Sequence, residues 1–195
     1  GEFDVRCAND LAKAWRRGIF PSSLKDEVIA LYDGEIRLVD DQLKIIFETL
    51  KAADIYDNTI IVILSDHGEV LFELYANRFF KKGPGHTARY TDEGIRIPLI
   101  IKPTKVFQND LLPRSDSLIS SIDLAPTLLD MLNIESVSWM TGKSLVPLMK
   151  SPLSSNPDPK IFFHEYPYGT EFLGMRSEKW KLVIKNIFGS GFEDK

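Results

Sequence analysis

The chain of 195 residues is 44% hydrophobic and 27% charged, which is the composition of an ordinary globular protein and excludes global disorder or low complexity. Its length suits one domain with a sizeable core, and a formal charge of -4 without a run of lysines or arginines offers nothing to nucleic acid or an anionic membrane surface. The single cysteine, Cys7, excludes an internal disulfide framework and two-cysteine metal motifs, and no stretch reaches the eighteen or so apolar residues that a membrane span needs.

Ala8 to Arg17 carries good helix formers with Leu11, Ala14 and Trp15 on one side, and Pro21 closes the segment. Ser23 then offers an N-cap, with Asp26 and Glu27 in the first turn where the helix dipole favours acids. From there Ile29, Tyr32, Ile36, Val39, Leu43, Ile46 and Leu50 recur at gaps of three and four. This is the clearest amphipathic helix in the chain, and it is expected to lie against a sheet. Gly34 interrupts it at about 1 kcal/mol relative to alanine, which points to close approach of another backbone. Asp33, Glu35, Asp40 and Asp41 have the look of paired carboxylates, but their charge surroundings fit a solvated helix face better.

Asp57-Asn58 is a turn that delivers the chain into Ile60-Ile61-Val62-Ile63-Leu64. Such an unbroken apolar run is expected as a strand buried on both faces, as in a parallel sheet covered by helices. It ends in Ser65-Asp66-His67-Gly68-Glu69, and ligands in such sheets bind beyond the carboxyl ends of the strands. A carboxylate oxygen beside a neutral imidazole nitrogen can ligate manganese or zinc; the same pair also fits a plain turn with a helix cap. Gly68 lets the chain turn sharply and leaves room beside both side chains. After Phe72, Phe79, Phe80, Lys81 and Lys82 comes Gly83-Pro84-Gly85-His86, which cannot continue a helix and so puts His86 on a loop. Ile95 to Ile101 is a second buried strand that includes Pro98. Asp66, His67 and His86 thus flank one connection between two strands and are expected to converge at one end of the sheet.

Residues 103 to 116 are polar and form a surface connection, and Leu118 to Ile122 has the pattern of a short strand. Asp123 caps a helix with Pro126 in its first turn and Leu128, Leu129, Met131 and Leu132 packing inward. Thr141-Gly142-Lys143-Ser144 has the tail of a phosphate loop without its first glycine or a strand feeding it, so that role is rejected. Pro152 to Pro159 is a loop rich in serine and proline, followed by strands at Ile161-Phe162-Phe163 and Trp180 to Ile184 in a more peripheral sheet. His164, beside Glu165, fits a structural role better than a functional one.

Taken together, Leu31-Tyr32-Asp33-Gly34-Glu35-Ile36-Arg37, Val39-Asp40-Asp41-Gln42, Asp57-Asn58-Thr59, Ser65-Asp66-His67-Gly68-Glu69, Gly85-His86, Tyr90, Asp92-Glu93-Gly94-Ile95-Arg96-Ile97-Pro98, Asp123 to Leu129 and Gly142-Lys143-Ser144-Leu145 resemble, in the correct order, the C-terminal half of a sulfatase. The resemblance implies the α/β fold of the alkaline phosphatase superfamily, a mixed sheet flanked by helices with a smaller peripheral C-terminal sheet. Residues 1–150 would form the C-terminal part of the catalytic α/β domain, and residues 151–195 the start of the small-sheet subdomain. It also implies a divalent cation at the strand ends, with Asp66 matching a metal-ligand aspartate and His67 the adjoining ligand position. Many arylsulfatases have asparagine at that second position and bind calcium. Imidazole is a poor calcium ligand, so manganese or zinc is favoured over calcium here. His86 matches a basic residue that contacts the sulfate or protonates the leaving group, roles suited to a loop histidine.

Sulfatases attack with a formylglycine made from cysteine or serine in a Cys/Ser-x-Pro-Ser-Arg motif. Cys7 here continues as Ala8-Asn9-Asp10, and Ser151-Pro152-Leu153 has its proline one position early and no arginine. The end at Phe192-Glu193-Asp194-Lys195 also stops short of the acidic closing motif that often follows in this family. The expectation is a fragment of a metal-dependent sulfuric ester hydrolase, inactive alone, whose full-length form cleaves a small-molecule or glycan sulfate ester. A fragment of this kind would expose strand edges and apolar faces and self-associate. The alternatives are a phosphonate or phosphodiester hydrolase, a phosphoethanolamine or phosphoglycerol transferase of the same superfamily, and a non-catalytic remnant that recognises a sulfated glycan.

Overall fold

The computed structural model describes residues 22–72, 91–108, 111–151, 160–165 and 171–186. The expected lead-in helix at Ala8–Arg17, the Gly83–His86 loop and the Pro152–Pro159 loop lie outside the described residues. The chain divides into two compact units, Gly1–Lys102 and Pro103–Lys195. Among the described residues no helix is long and apolar enough to cross a membrane.

In the first unit a 3-10 turn over Ser22–Leu24 runs into helix α1, Lys25–Ala52. Ser23 is not its cap. The N-cap falls on Leu24, already helical at φ -88° and without a side-chain bond, because the preceding turn brings the backbone in coiled. Asp26 and Glu27 open the helix and Lys51 closes it, complementing the macrodipole. The C-terminus is a Schellman motif built on Asp54, whose φ is 57°: Asp54 N–H donates to Lys51 O at 3.0 Å and Ile55 N–H to Leu50 O at 3.1 Å.

The apolar stripe of α1 is present but mostly uncovered. Ile29, Leu43 and Leu50 are half-buried, whereas Ile36 and Val39 are each 56% exposed and Ile46 51%, so the expected packing against a sheet is not what these residues do. The helix is held instead near its two ends. Val28 packs with Phe72, Ile29 and Leu71, and Phe47 meets the Tyr56 ring edge-on at 6.1 Å. A side chain at Gly34 would meet nothing within 4 Å, so the expected close backbone approach there is absent as well.

A 3-10 turn at Tyr56–Asn58 leads into strand β1, Ile61–Leu64, which pairs with β2, Leu99–Lys102. The pairing is antiparallel, with Ile61 opposite Lys102 and Leu64 opposite Leu99, and not the parallel kind expected. Leu64 and Ile100 are 44% and 58% exposed. A continuous apolar run reports the affinity of both faces for a cover, not the direction of the neighbouring strand. Lys102 fastens β2 to the turn before β1: Nζ donates to the carbonyls of Tyr56 and, at 2.9 Å, Thr59, and lies 4.3 Å from the centre of the Tyr56 ring. Ile95 does not begin the second strand. It ends a short helical turn, α2, Asp92–Ile95, capped by Thr91.

In the second unit the expected strand at Leu118–Ile122 is replaced by extended chain and a 3-10 turn, Ser121–Asp123, that continues into α3, Leu124–Met131. Ser120 and Asp123 form a reciprocal capping box, which coils a segment whose apolar run alone has no preference between strand and turn. Pro126 and Thr127 are the buried residues of α3, and Leu132, expected inward, is 56% exposed. The Gly-Lys-Ser stretch forms a clasp. Any side chain at Gly142 would collide with the Ile122 carbonyl, Lys143 N–H donates to Asp123 Oδ1 at 2.9 Å, and the Ser144 hydroxyl donates to Asp130. The chain then enters α4, Val146–Lys150.

Strands β3 (Ile161–Glu165), β4 (Glu171–Arg176) and β5 (Lys181–Asn186) form an antiparallel meander in that order. The middle strand was not foreseen, since Gly174 breaks its pattern. That glycine is opposite Phe163, whose ring lies across it where a side chain would stand. His164, expected to be structural, is an exposed residue of β3.

Candidate metal site

Beyond Leu64 the chain leaves β1 and folds back on itself within three residues. Ser65 Oγ donates to the His67 carbonyl at 2.7 Å and lies 3.4 Å from Asp66 Oδ1. The His67 amide N–H donates to Asp66 Oδ1 at 2.9 Å. That amide bond holds the Asp66 carboxyl below its usual range, against the opposing effect of desolvation. The carboxylate is thus an ionised, acceptor-only group, and its side chain is 85% exposed.

The imidazole is oriented by its other nitrogen. His67 Nδ1 lies 2.9 Å from the Gly68 carbonyl oxygen. A carbonyl only accepts, so the proton of the neutral ring belongs on Nδ1 and Nε2 keeps its lone pair. Nε2 stands 3.6 Å from Asp66 Oδ2. Histidines that ligate metals are commonly held through the opposite nitrogen in this way, and ligand bonds of about 2 Å from each donor are long enough to span such a gap. An ionised oxygen and a half-buried imidazole nitrogen 3.6 Å apart are donor types that fit a divalent cation with nitrogen and oxygen ligands.

Gly68 anchors the far end of the loop. Its N–H donates to the Gly94 carbonyl at 2.8 Å, and an added Cβ would collide with the Glu93 carbonyl and reach 3.0 Å from the Arg96 carbonyl. The space at Gly68 is thus filled by the backbone of α2 rather than left open beside the side chains. The importance of Thr91 and Gly94 was missed in the sequence, although Thr91-Asp92-Glu93 carries the cap-then-acid signature of a helical turn. His86 lies outside the described residues. Among the described residues no group of three or more His, Cys, Asp and Glu side chains converges on one point. The acids of α1 behave as a solvated face: Asp33, Glu35, Asp40 and Asp41 are exposed, and Arg37 pairs with Asp41 at 3.4 Å along the helix.

A family model described as Sulfatase matches residues 3–134. The chain belongs to the sulfatase family. A second model, for the C-terminal region of N-sulphoglucosamine sulphohydrolase, matches residues 86–187 of this sulfatase chain. It is 28% identical over 156 residues to a choline-sulfatase of Rhizobium meliloti, covering 78% of this chain and 28% of that protein. It is 29% identical over 160 residues to an N-acetylglucosamine-6-O-sulfatase of Bacteroides thetaiotaomicron, covering 78% and 27%. A solved structure of a protein in complex with its substrate D-glucosamine-2-N,6-O-disulfate superposes with a TM-score of 0.61 at 25% identity, over 90% of this chain and 36% of that one. The sulfatase chain thus spans less than a third of the length of either of these two relatives. The expected α/β fold of the alkaline phosphatase superfamily is the fold of these structural neighbours.

Proposed function

We propose that the chain is the C-terminal part of a metal-dependent sulfuric ester hydrolase. Residues 1–150 complete its α/β catalytic domain, and residues 151–195 begin the small-sheet subdomain. Membership of the sulfatase family supports this, as does the placement of Asp66 and His67 just past the carboxyl end of β1. The observation that carries the metal role is the proximity of the two donor atoms, Asp66 Oδ2 and His67 Nε2 at 3.6 Å. Asp66 and His67 would hold a divalent cation, with manganese or zinc preferred to calcium because of the imidazole. Such an ion, when bound, supplies charge that polarises the ester oxygens. His86 contacts the transferring group or protonates the departing alcohol. The substrate is a sulfate ester on a small molecule or glycan, a reading supported by the names of the choline- and N-acetylglucosamine-6-O-sulfatase relatives and by the disulfated glucosamine bound in the neighbouring complex. Without a Cys/Ser-x-Pro-Ser-Arg motif, the chain alone has no nucleophile and is inactive.

The deciding experiment is metal analysis of the gene product that carries this chain, alongside an Asp66→Ala/His67→Ala double variant and a sulfate-ester assay of both. One equivalent of bound metal and activity that both disappear in the variant are expected. Equal metal in the two proteins would remove Asp66 and His67 from the metal site, and turnover by the isolated chain would refute its inactivity.

A further inference from the structure

The orientation of His67 is set by a turn that comes later in the chain. The metal-facing loop is pinned on both sides of the imidazole. Upstream, Ser65 Oγ holds the His67 carbonyl at 2.7 Å; downstream, Gly68 N–H is tied to Gly94 O at 2.8 Å. The Gly68 carbonyl is in turn what His67 Nδ1 meets at 2.9 Å. Gly68 therefore links the ring to α2, and only a glycine permits the link, because a Cβ there would occupy the space of the Glu93 carbonyl.

The turn that presents Gly94 O is itself fixed by Thr91, a polar residue only 5% exposed. Thr91 Oγ1 accepts from Gly94 N–H at 3.3 Å, its carbonyl accepts from the Gly94 and Ile95 N–H groups at 3.1 and 3.0 Å, and Arg96 N–H donates to Asp92 O at 2.9 Å. With its own donors committed, the turn offers the Gly94 carbonyl in one direction. We infer that Thr91, acting through Gly94 and Gly68, is a positioning residue that keeps the His67 ring in its Nδ1–H tautomer with Nε2 facing the side of Asp66. This rests on the reading of Asp66 and His67 as metal ligands. Partners that fix a metal-bound histidine through its second nitrogen typically change metal affinity ten- to a hundredfold when removed.

The test is nitrogen NMR of the histidine rings in the metal-free chain, followed by titration with zinc ion alone. The wild-type chain is expected to show His67 as the Nδ1–H tautomer, with zinc perturbing Nε2. Thr91→Val, with its fold checked by circular dichroism, should mix the tautomers and weaken zinc binding about tenfold or more, and Thr91→Ser should restore both. A ring that stays Nδ1–H with unchanged zinc affinity in Thr91→Val overturns the inference, as does a wild-type ring protonated on Nε2. Gly68→Ala should act in the same direction as Thr91→Val; if it does not fold, the Thr91 variants decide alone. A tautomer that responds to Thr91 in a chain whose Nε2 ignores zinc supports the positioning and instead refutes the metal role of His67.

Discussion

Thr127→Val tests the clasp that organises the second unit. Thr127 is fully buried at 0% exposure. Its Oγ1 donates to the Asp123 carbonyl at 2.5 Å and accepts from Leu145 N–H at 2.9 Å, joining the start of α3 to the entry of α4. Valine reproduces the shape of threonine, so little packing is lost. The Leu145 N–H, on a residue only 8% exposed, loses that acceptor. An unsatisfied buried donor costs about 1–3 kcal/mol, and the lost bond to Asp123 adds about 0.5–1 kcal/mol, so the variant should be less stable by about 1.5–4 kcal/mol. With a urea slope of about 2 kcal/mol/M, the unfolding midpoint should fall by about 0.75–2 M. Thr127→Ser keeps the hydroxyl and loses one methyl, worth about 1 kcal/mol, a fall of about 0.5 M. Urea titration followed by circular dichroism separates the two. A valine variant as stable as the serine variant would show that the hydroxyl does not join these segments.

Three other predictions follow from named contacts. Gly34→Ala should stabilise α1 by about 0.5–1 kcal/mol, because the helix interior disfavours glycine and nothing lies within 4 Å of the new methyl; a lower urea midpoint would mean that another group presses on this face. The Asp66 carboxyl, followed by carbon NMR, should titrate below the ordinary aspartate value of 3.8. Since its folded value is the lower one, the stabilisation it contributes is present above about 3.8 and is lost as pH falls through the folded value, and a midpoint at or above 3.8 would contradict the bond from the His67 amide. The isolated chain should self-associate through the uncovered stripe of α1, so light scattering should show mass rising with concentration and Ile36→Lys/Ile46→Lys should suppress it; a wild-type monomer at every concentration would argue against that surface.

What was legible in the sequence were features that depend on near neighbours. The gaps of three and four from Ile29 to Leu50 gave α1, and the acids at its start and Lys51 at its end agree with its dipole. The apolar runs at Ile60 and Leu99 gave two strands, and the abrupt Ser-Asp-His-Gly after the first gave a candidate site. Motif order alone pointed to the sulfatase family, because many short motifs in sequence are more specific than any one of them. Where two local preferences were balanced, the reading failed: Leu118 to Ile122 suits a strand, but the Ser120–Asp123 box coiled it. Gly174 hid β4 for a similar reason, since the ring that covers it belongs to another strand.

The sequence by itself determined where a carboxylate and an imidazole stand together at the end of an apolar run, because residue type sets charge, donor count and hydrophobicity. Only the tertiary structure decided how they are presented. The antiparallel direction of β1 and β2, the role of Lys102 in tying β2 to the Tyr56 turn, and the exposure of α1 all depend on groups far apart in the chain. The same holds for the imidazole. Its Nδ1 is held by the Gly68 carbonyl, and Gly68 is fixed by a carbonyl on a turn that comes later in the chain; such pairings carry no local signal because hydrogen bonds join whichever groups the fold brings within reach.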